Sequence, residues 1–240
     1  SKTMDINNIK SVYFVGAGGI GMSAILRYFL KKGYNVGGYD KTATPLTEQL
    51  IGEGALIHYE ESVDSIPECF KQKDTTLVVF TPAIPDDHAE LVWFRENGFE
   101  VQKRAQVLGY ISMKQKAVCV AGTHGKTTTS TMAAHLLHQS SIDCNAFLGG
   151  ISKNYGTNYI LSEKSEFAVI EADEFDRSFH WLTPHMSVIT STDPDHLDIY
   201  GDEAHIREAF KAFASQVSGT VIARYGLDIT AADTKARIMT

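Results

Sequence analysis

The sequence predicts two α/β domains in series, each built on a parallel sheet wound through helices. Two observations carry this. Short β-rich runs alternate with amphipathic helical segments along most of the chain, and the alternation restarts near residue 110. Size agrees: 240 residues with 43% hydrophobic content can fill one large or two ordinary cores, which excludes a compositionally disordered chain.

The first domain, residues 1–108, opens on the apolar run Val12-Tyr13-Phe14-Val15, read as a strand. A helix follows in which Ile20, Ala24, Ile25, Tyr28 and Phe29 share one face. The runs Tyr34 to Tyr39 and Thr76 to Phe80 supply further strands, each set apart by a polar or helical stretch, as parallel pairing requires. Residues Gln102 to Met113 read as a connecting segment. The second domain, residues 109–240, restarts at Ala117-Val118-Cys119-Val120 and enters a helix with Met132, Ala133, Leu136 and Leu137 on one side. Strands at Phe167 to Ile170 and Ser187 to Thr190 come next. A helix from about Asp202 then carries the apolar stripe Ile206, Ala209, Phe210, Phe213 and Val217.

Composition narrows the partners. A net charge of -7 disfavours nucleic acid and anionic membrane, whose phosphates recruit an excess of Lys and Arg. Any anion must therefore be held locally. Cys69, Cys119 and Cys144 are odd in number and sit in or beside apolar segments, which fits reduced, buried thiols. Ser1 to Lys10 has no apolar signal core, and no stretch approaches the roughly 18 apolar residues of a membrane span, so a cytoplasmic location is expected.

The second domain holds the sharper chemistry. Gly122-Thr123-His124-Gly125-Lys126-Thr127-Thr128 follows a strand and opens a helix, the context of a phosphate-binding loop. Such a loop aims backbone N–H groups and the helix dipole at one point. The dipole contributes only about 0.3–1 kcal/mol, so Lys126 and a metal must supply most of the neutralisation of a triphosphate. Lys126 is expected to reach the terminal phosphates of ATP, and the Thr127 hydroxyl to ligate Mg²⁺. The loop is shorter than the usual pattern, with Val120 where a glycine would stand five residues before Gly125. Glu171 ends an apolar strand and so lies at the sheet edge where α/β folds bind ligands; its carboxylate suits a hard divalent ion. Asp193-Pro194-Asp195-His196 follows the next strand, and His196 is placed to join Glu171 around a metal or the γ-phosphate.

In the first domain Gly16-Ala17-Gly18-Gly19-Ile20-Gly21 follows a strand and opens a helix, and Asp40 ends the second strand about 20 residues on, the dinucleotide fingerprint. Backbone at Gly16, Gly18, Gly19 and Gly21 can approach a diphosphate, with the Asp40 carboxylate meeting a hydroxyl or donor of the nucleoside. NAD and a UDP-sugar both satisfy this. A second, independent ATP loop favours the UDP-sugar, since a dehydrogenase has no use for a γ-phosphate.

Taken in order, the motifs at Gly16 to Met22, Gly122 to Thr128, Glu171 to Glu174 and Asp193 to His196 resemble those of the Mur ligase family over about residues 10–217. The resemblance implies a Rossmann-like first domain for a UDP-sugar and a P-loop-type central domain for ATP and one or two Mg²⁺ ions. It implies catalytic roles for Lys126, Glu171 and His196, metal ligation by Thr127, Glu171 and His196, and a place for His124 where the two substrates meet. The motifs are most similar to the branch that joins L-alanine to the lactyl carboxylate of UDP-N-acetylmuramate through an acyl phosphate, in peptidoglycan precursor synthesis. A muropeptide-recycling ligase of the same family and an NAD-dependent oxidoreductase are the alternatives.

The sequence departs from the family in several places. A His-Asn-x-x-Asn helix motif that helps hold the adenine nucleotide does not occur, and Ser191 stands where many members have Asn. Residues 218–240 align with no part of the family pattern. The third domain, which supplies the amino-acid site, has no counterpart among these residues, so the chain alone is expected not to turn over.

Overall fold

A computed structural model describes residues 6–149, 157–173, 178–193 and 203–240. The chain divides into two compact units, Ser1–Val107 and Leu108–Thr240.

The first unit is a five-stranded parallel sheet in the order β3-β2-β1-β4-β5, from β1 (Ser11–Val15), β2 (Asn35–Tyr39), β3 (Leu56–His58), β4 (Thr76–Phe80) and β5 (Glu100–Lys103). All five residues of β1 are buried, because a central parallel strand is covered on both faces. The crossovers run through α1 (Ile20–Lys31), α2 (Pro45–Gly52) and α3 (Ala89–Glu96). α2 starts where Thr44 and Thr47 close a reciprocal capping box with Pro45 in the first turn. Tyr13, Phe70, Phe94 and Phe99 fill one side of the sheet, with rings 4.9–5.2 Å apart along Phe70–Tyr13–Phe94–Phe99.

Two expectations for this unit are corrected. Gln102 to Met113 is not a connector: it contains the end of β5 and most of α4 (Arg104–Lys114). Ile20 does not join Ala24, Ile25, Tyr28 and Phe29 in the core but is 70% exposed. It is the first residue of α1, and helical side chains lean toward the N-terminus, which carries it past the sheet edge.

The second unit is a seven-stranded sheet, β12-β11-β10-β6-β9-β7-β8, parallel except for the β7–β8 pair. Its strands are β6 (Lys116–Ala121), β7 (Asn145–Phe147), β8 (Tyr159–Ile160), β9 (Phe167–Glu171), β10 (Met186–Ile189), β11 (Thr220–Ala223) and β12 (Arg237–Met239). Residues 218–240, which matched no expected pattern, thus continue the sheet by two strands. Three-residue β12 is too short to announce itself by alternation.

The inward face of α5 (Lys126–His138) is shifted from the one expected: Ala133 and Leu137 pack on the core as expected, but Met132 and Leu136 are 60% and 68% exposed. Ser130 and Ala134 complete the inward face, which follows the i, i+3, i+4, i+7 spacing. α6 (Glu203–Ser215) buries Ile206, Phe210 and Phe213, and Phe179 packs on the last two at 5.1 and 4.9 Å between ring centroids. Cys119 and Cys144 are buried, Cys69 is partly so, and all three are free. Among the described residues no helix is long and apolar enough to cross a membrane.

Candidate functional site

In the second unit β6 ends at Ala121, and the chain passes through Gly122, Thr123, His124 and Gly125 into α5. Gly122 has φ 147° and Gly125, the N-cap, φ 79°, both in the region that favours glycine. Thr190 also packs so closely on Gly122 that a Cβ there would collide with its hydroxyl.

A neighbouring strand end fastens the loop. Ser191, 5% exposed, accepts the His124 N–H at 2.9 Å on Oγ, and its Oγ lies 2.9 Å from Thr123 Oγ1. The Ser191 carbonyl accepts the Thr123 N–H at 3.2 Å, and the Thr190 hydroxyl donates to the His124 carbonyl. Two backbone N–H groups of the motif therefore serve the loop itself. An anion at this turn faces the N-terminus of α5, with Lys126, Thr127 and Thr128 as its first residues. Lys126 Nζ donates to Gly122 O at 3.4 Å, a long bond that a phosphate oxygen can replace.

Thr127 and Glu171, distant in sequence, meet: Thr127 Oγ1 donates to Glu171 Oε1 at 2.7 Å. The other carboxylate oxygen accepts the Gly149 N–H at 2.6 Å and the Ser130 hydroxyl at 3.3 Å. A Cβ on Gly149 would fall 2.7 Å from both carboxylate oxygens, so the backbone there must lack a side chain for Glu171 to lie where it does. A hydroxyl beside a carboxylate is a hard-oxygen donor pair of the kind Mg²⁺ takes when phosphate and water complete its shell. Among the described residues no group of three or more His, Cys, Asp or Glu could hold a metal. His196, expected as a further ligand, lies outside the described residues.

In the first unit Gly16 and Ala17 donate their N–H groups to the Tyr39 carbonyl at 2.8 and 2.9 Å, which carries the β1–β2 pairing into the glycine loop. Gly19 is the N-cap of α1 with extended backbone and no capping side chain. Asp40 is turned onto the loop: Oδ2 accepts the Gly18 N–H at 2.7 Å and Oδ1 the Thr42 N–H at 3.2 Å. The carboxylate thus serves as a brace of the loop. Thr81 closes over Gly16, where a Cβ would lie 2.8 Å from its Oγ1.

A buried polar cluster beneath this edge escaped the sequence reading. Glu90, fully buried, accepts the Tyr13 hydroxyl and the Ser62 N–H (3.3 Å), and lies 3.1 Å from His58 Nε2. Burial first, then the Glu90 charge and hydrogen bond, push the Tyr13 hydroxyl pKa far up, so it stays a donor. His88 caps α3 by accepting the Glu90 N–H on Nδ1 at 3.2 Å. The lone signal was an acid in the first turn of a helix, which reads as solvated. Gly149 and Ser191 were signalled only by a glycine pair after β7 and by a departure from asparagine.

Two glycine loops thus stand at the carboxyl ends of parallel sheets, one with a lysine and a hydroxyl–carboxylate pair beside it. Residues 11–116 match the Mur ligase family, catalytic domain, and residues 120–238 match the Mur ligase middle domain; the chain belongs to the Mur ligase family, and residues 218–238, expected to align with no part of the family pattern, do belong to its middle domain. It is 65% identical over 228 residues to a UDP-N-acetylmuramate–L-alanine ligase from Phocaeicola vulgatus, covering 94% of this chain and 50% of that protein. The same-named protein of Parabacteroides distasonis is 63% identical, with 95% and 50% covered. The chain spans about half the length of the curated relatives it matches. Among solved structures, a UDP-N-acetylmuramate-alanine ligase from Thermotoga maritima superposes with a TM-score of 0.70 at 29% identity, covering 96% of this chain and 53% of that one. A UDP-N-acetylmuramate:L-alanyl-gamma-D-glutamyl-meso-diaminopimelate ligase from Neisseria meningitides shares the fold, with a TM-score of 0.75 at 23% identity and coverage of 96% and 77%.

Proposed function

We propose that this chain carries the nucleotide-sugar and ATP sites of an enzyme that joins L-alanine to UDP-N-acetylmuramate with formation of ADP. The observation that carries the reading is the set of Lys126, Thr127 and Glu171 gathered at the mouth of the β6–α5 loop. Relatives of 57–65% identity named for that reaction support the choice of substrate and amine.

A carboxylate does not condense with an amine at neutral pH until its oxygen becomes a leaving group. Transfer of the γ-phosphoryl group of ATP to the lactyl carboxylate gives ADP and an acyl phosphate; the alanine amine then attacks the acyl carbon, and phosphate leaves with the C–O bond. The first step brings two anions together, and unit charges at contact repel by several kcal/mol even at an effective dielectric of about 20. Lys126 supplies a compact positive charge against the transferring group, and the first turn of α5 aims N–H donors at it. Thr127 and Glu171 would hold Mg²⁺, which when bound adds charge neutralisation and in-line orientation. Gly16 to Gly21 would receive the UDP diphosphate and Asp40 the nucleoside side of that loop; His124 would lie where the substrates meet, and His196 would join Glu171 around a metal or the γ-phosphate. The test is ADP release by the full-length product of the gene, offered UDP-N-acetylmuramate with L-alanine or with a muropeptide. Turnover with L-alanine alone is expected; turnover with the peptide alone overturns the assignment.

A further inference from the structure

The first glycine loop has a charge problem. A diphosphate brings about two negative charges, Asp40 places a third against Gly18, and the α1 dipole returns only about 0.3–1 kcal/mol. The loop itself contains no cation. Of the side chains lying nearest Gly16, Gly18, Gly19 and Gly21, namely Thr81, Ile84, Asp40, Thr47, Met22 and Arg104, Arg104 alone is positive.

Arg104 is the first residue of α4, directly after β5, at the same carboxyl edge as the loop. β5 lies two strands from β1, about 10 Å at ordinary strand spacing, so only a long side chain can cross over β4. Arg104 does cross: a Cβ built on Gly21 would sit 3.4 Å from its Nε and 4.0 Å from its Cδ. Gly21 has no positive φ to account for it. The Arg104 side chain thus lies in van der Waals range of the first turn of α1. A planar fork of N–H donors on a fixed charge suits adjacent phosphate oxygens better than an ammonium does.

We propose that Arg104 is the diphosphate-binding cation of the first glycine loop, reaching across the sheet edge from α4 to the phosphates of a nucleoside diphosphate sugar. This rests on the nucleotide-sugar reading of that loop.

Calorimetric titration of the chain with UDP-N-acetylmuramate, UDP and uridine, on wild type and Arg104→Gln, tests it. Loss of hydrogen bonds to a charged group predicts Kd values about 10- to 100-fold weaker for UDP and UDP-N-acetylmuramate. Uridine, which lacks the diphosphate, and ADP at the second loop are expected to keep theirs. Arg104→Met preserves the apolar stem and replaces the Gln variant if that one melts early. Unchanged UDP binding overturns the proposal, and so does an equal loss for uridine and UDP, which would mark a structural role. A wild type that binds ADP but neither uridine nucleotide overturns the nucleotide-sugar reading itself.

Discussion

The Thr127 hydroxyl rests 2.7 Å from Glu171 Oε1, joining the start of α5 to the end of β9. On the reading proposed above, the pair would hold a divalent ion through its oxygens. Glu171→Gln keeps the shape and one acceptor but removes the charge. In the full-length enzyme it is expected to lower kcat by about 10²–10³ and to raise the Mg²⁺ concentration for half-activity, in line with loss of one preorganised electrostatic group. Wild-type kcat at low Mg²⁺ would remove Glu171 from the site.

Lys126→Ala is expected to abolish ADP release while the chain stays folded, because the lysine stands in the first turn of α5 at the loop mouth, where its bond to Gly122 O is long at 3.4 Å. Retention of most of the wild-type ADP release refutes its role.

Ser191→Ala strips the partner from two groups, the Thr123 hydroxyl and the His124 N–H. An unsatisfied buried polar group costs about 1–3 kcal/mol, so urea unfolding should show a loss in that range, with weaker ADP binding from a loosened loop. A stability loss under about 0.3 kcal/mol would mean the brace is dispensable.

Glu90→Ala leaves His58, Tyr13 and the Ser62 N–H facing a void beneath the first sheet edge. Each buried polar group left without its partner costs about 1–3 kcal/mol. Denaturation is expected to show the first unit unfolding earlier, a result that hydrogen exchange at β1 and β4 would localise.

Asp143 links stability to pH. Burial alone would raise its pKa, but hydrogen bonds from His138 and the Cys144 N–H, with the His138 charge, outweigh it and hold the carboxyl below its ordinary value. A depressed folded-state pKa gives stability that is fully present above the unfolded pKa and lost as pH falls through the folded one. Asp143→Asn should therefore flatten the acid limb of the stability curve below about pH 4, where the unfolded group titrates. Its φ of 57° suits Asn equally, so backbone strain does not confuse the comparison. Parallel acid limbs for the two proteins would contradict this.

Much of the plan was legible in the residues. Apolar runs at Val12–Val15 and Ala117–Val120 read as strands because buried parallel strands need unbroken apolar sequence, and the glycine loops read as turns because each stands between a strand and a helix. The misreadings have separate causes. Met132 and Leu136 looked like part of a core face because they are large and apolar, yet Ser130 and Ala134 are the residues of α5 that are buried. β5 and α4 hid within Gln102 to Met113 because β5 is short and its residues are mixed in polarity.

By itself, the sequence determined the kinds of chemistry present: a lysine and hydroxyl where a phosphate loop needs them, glycines where backbone must approach an anion, and an acid at a strand end. Those are local requirements, written at fixed spacings. Only the tertiary structure decided the pairings: Glu171 with Thr127, Ser191 with His124, Asp40 with Gly18 and Arg104 over Gly21. Each joins the ends of different strands, and strand order, which brings them within hydrogen-bond reach, arises from long-range packing that no local spacing encodes.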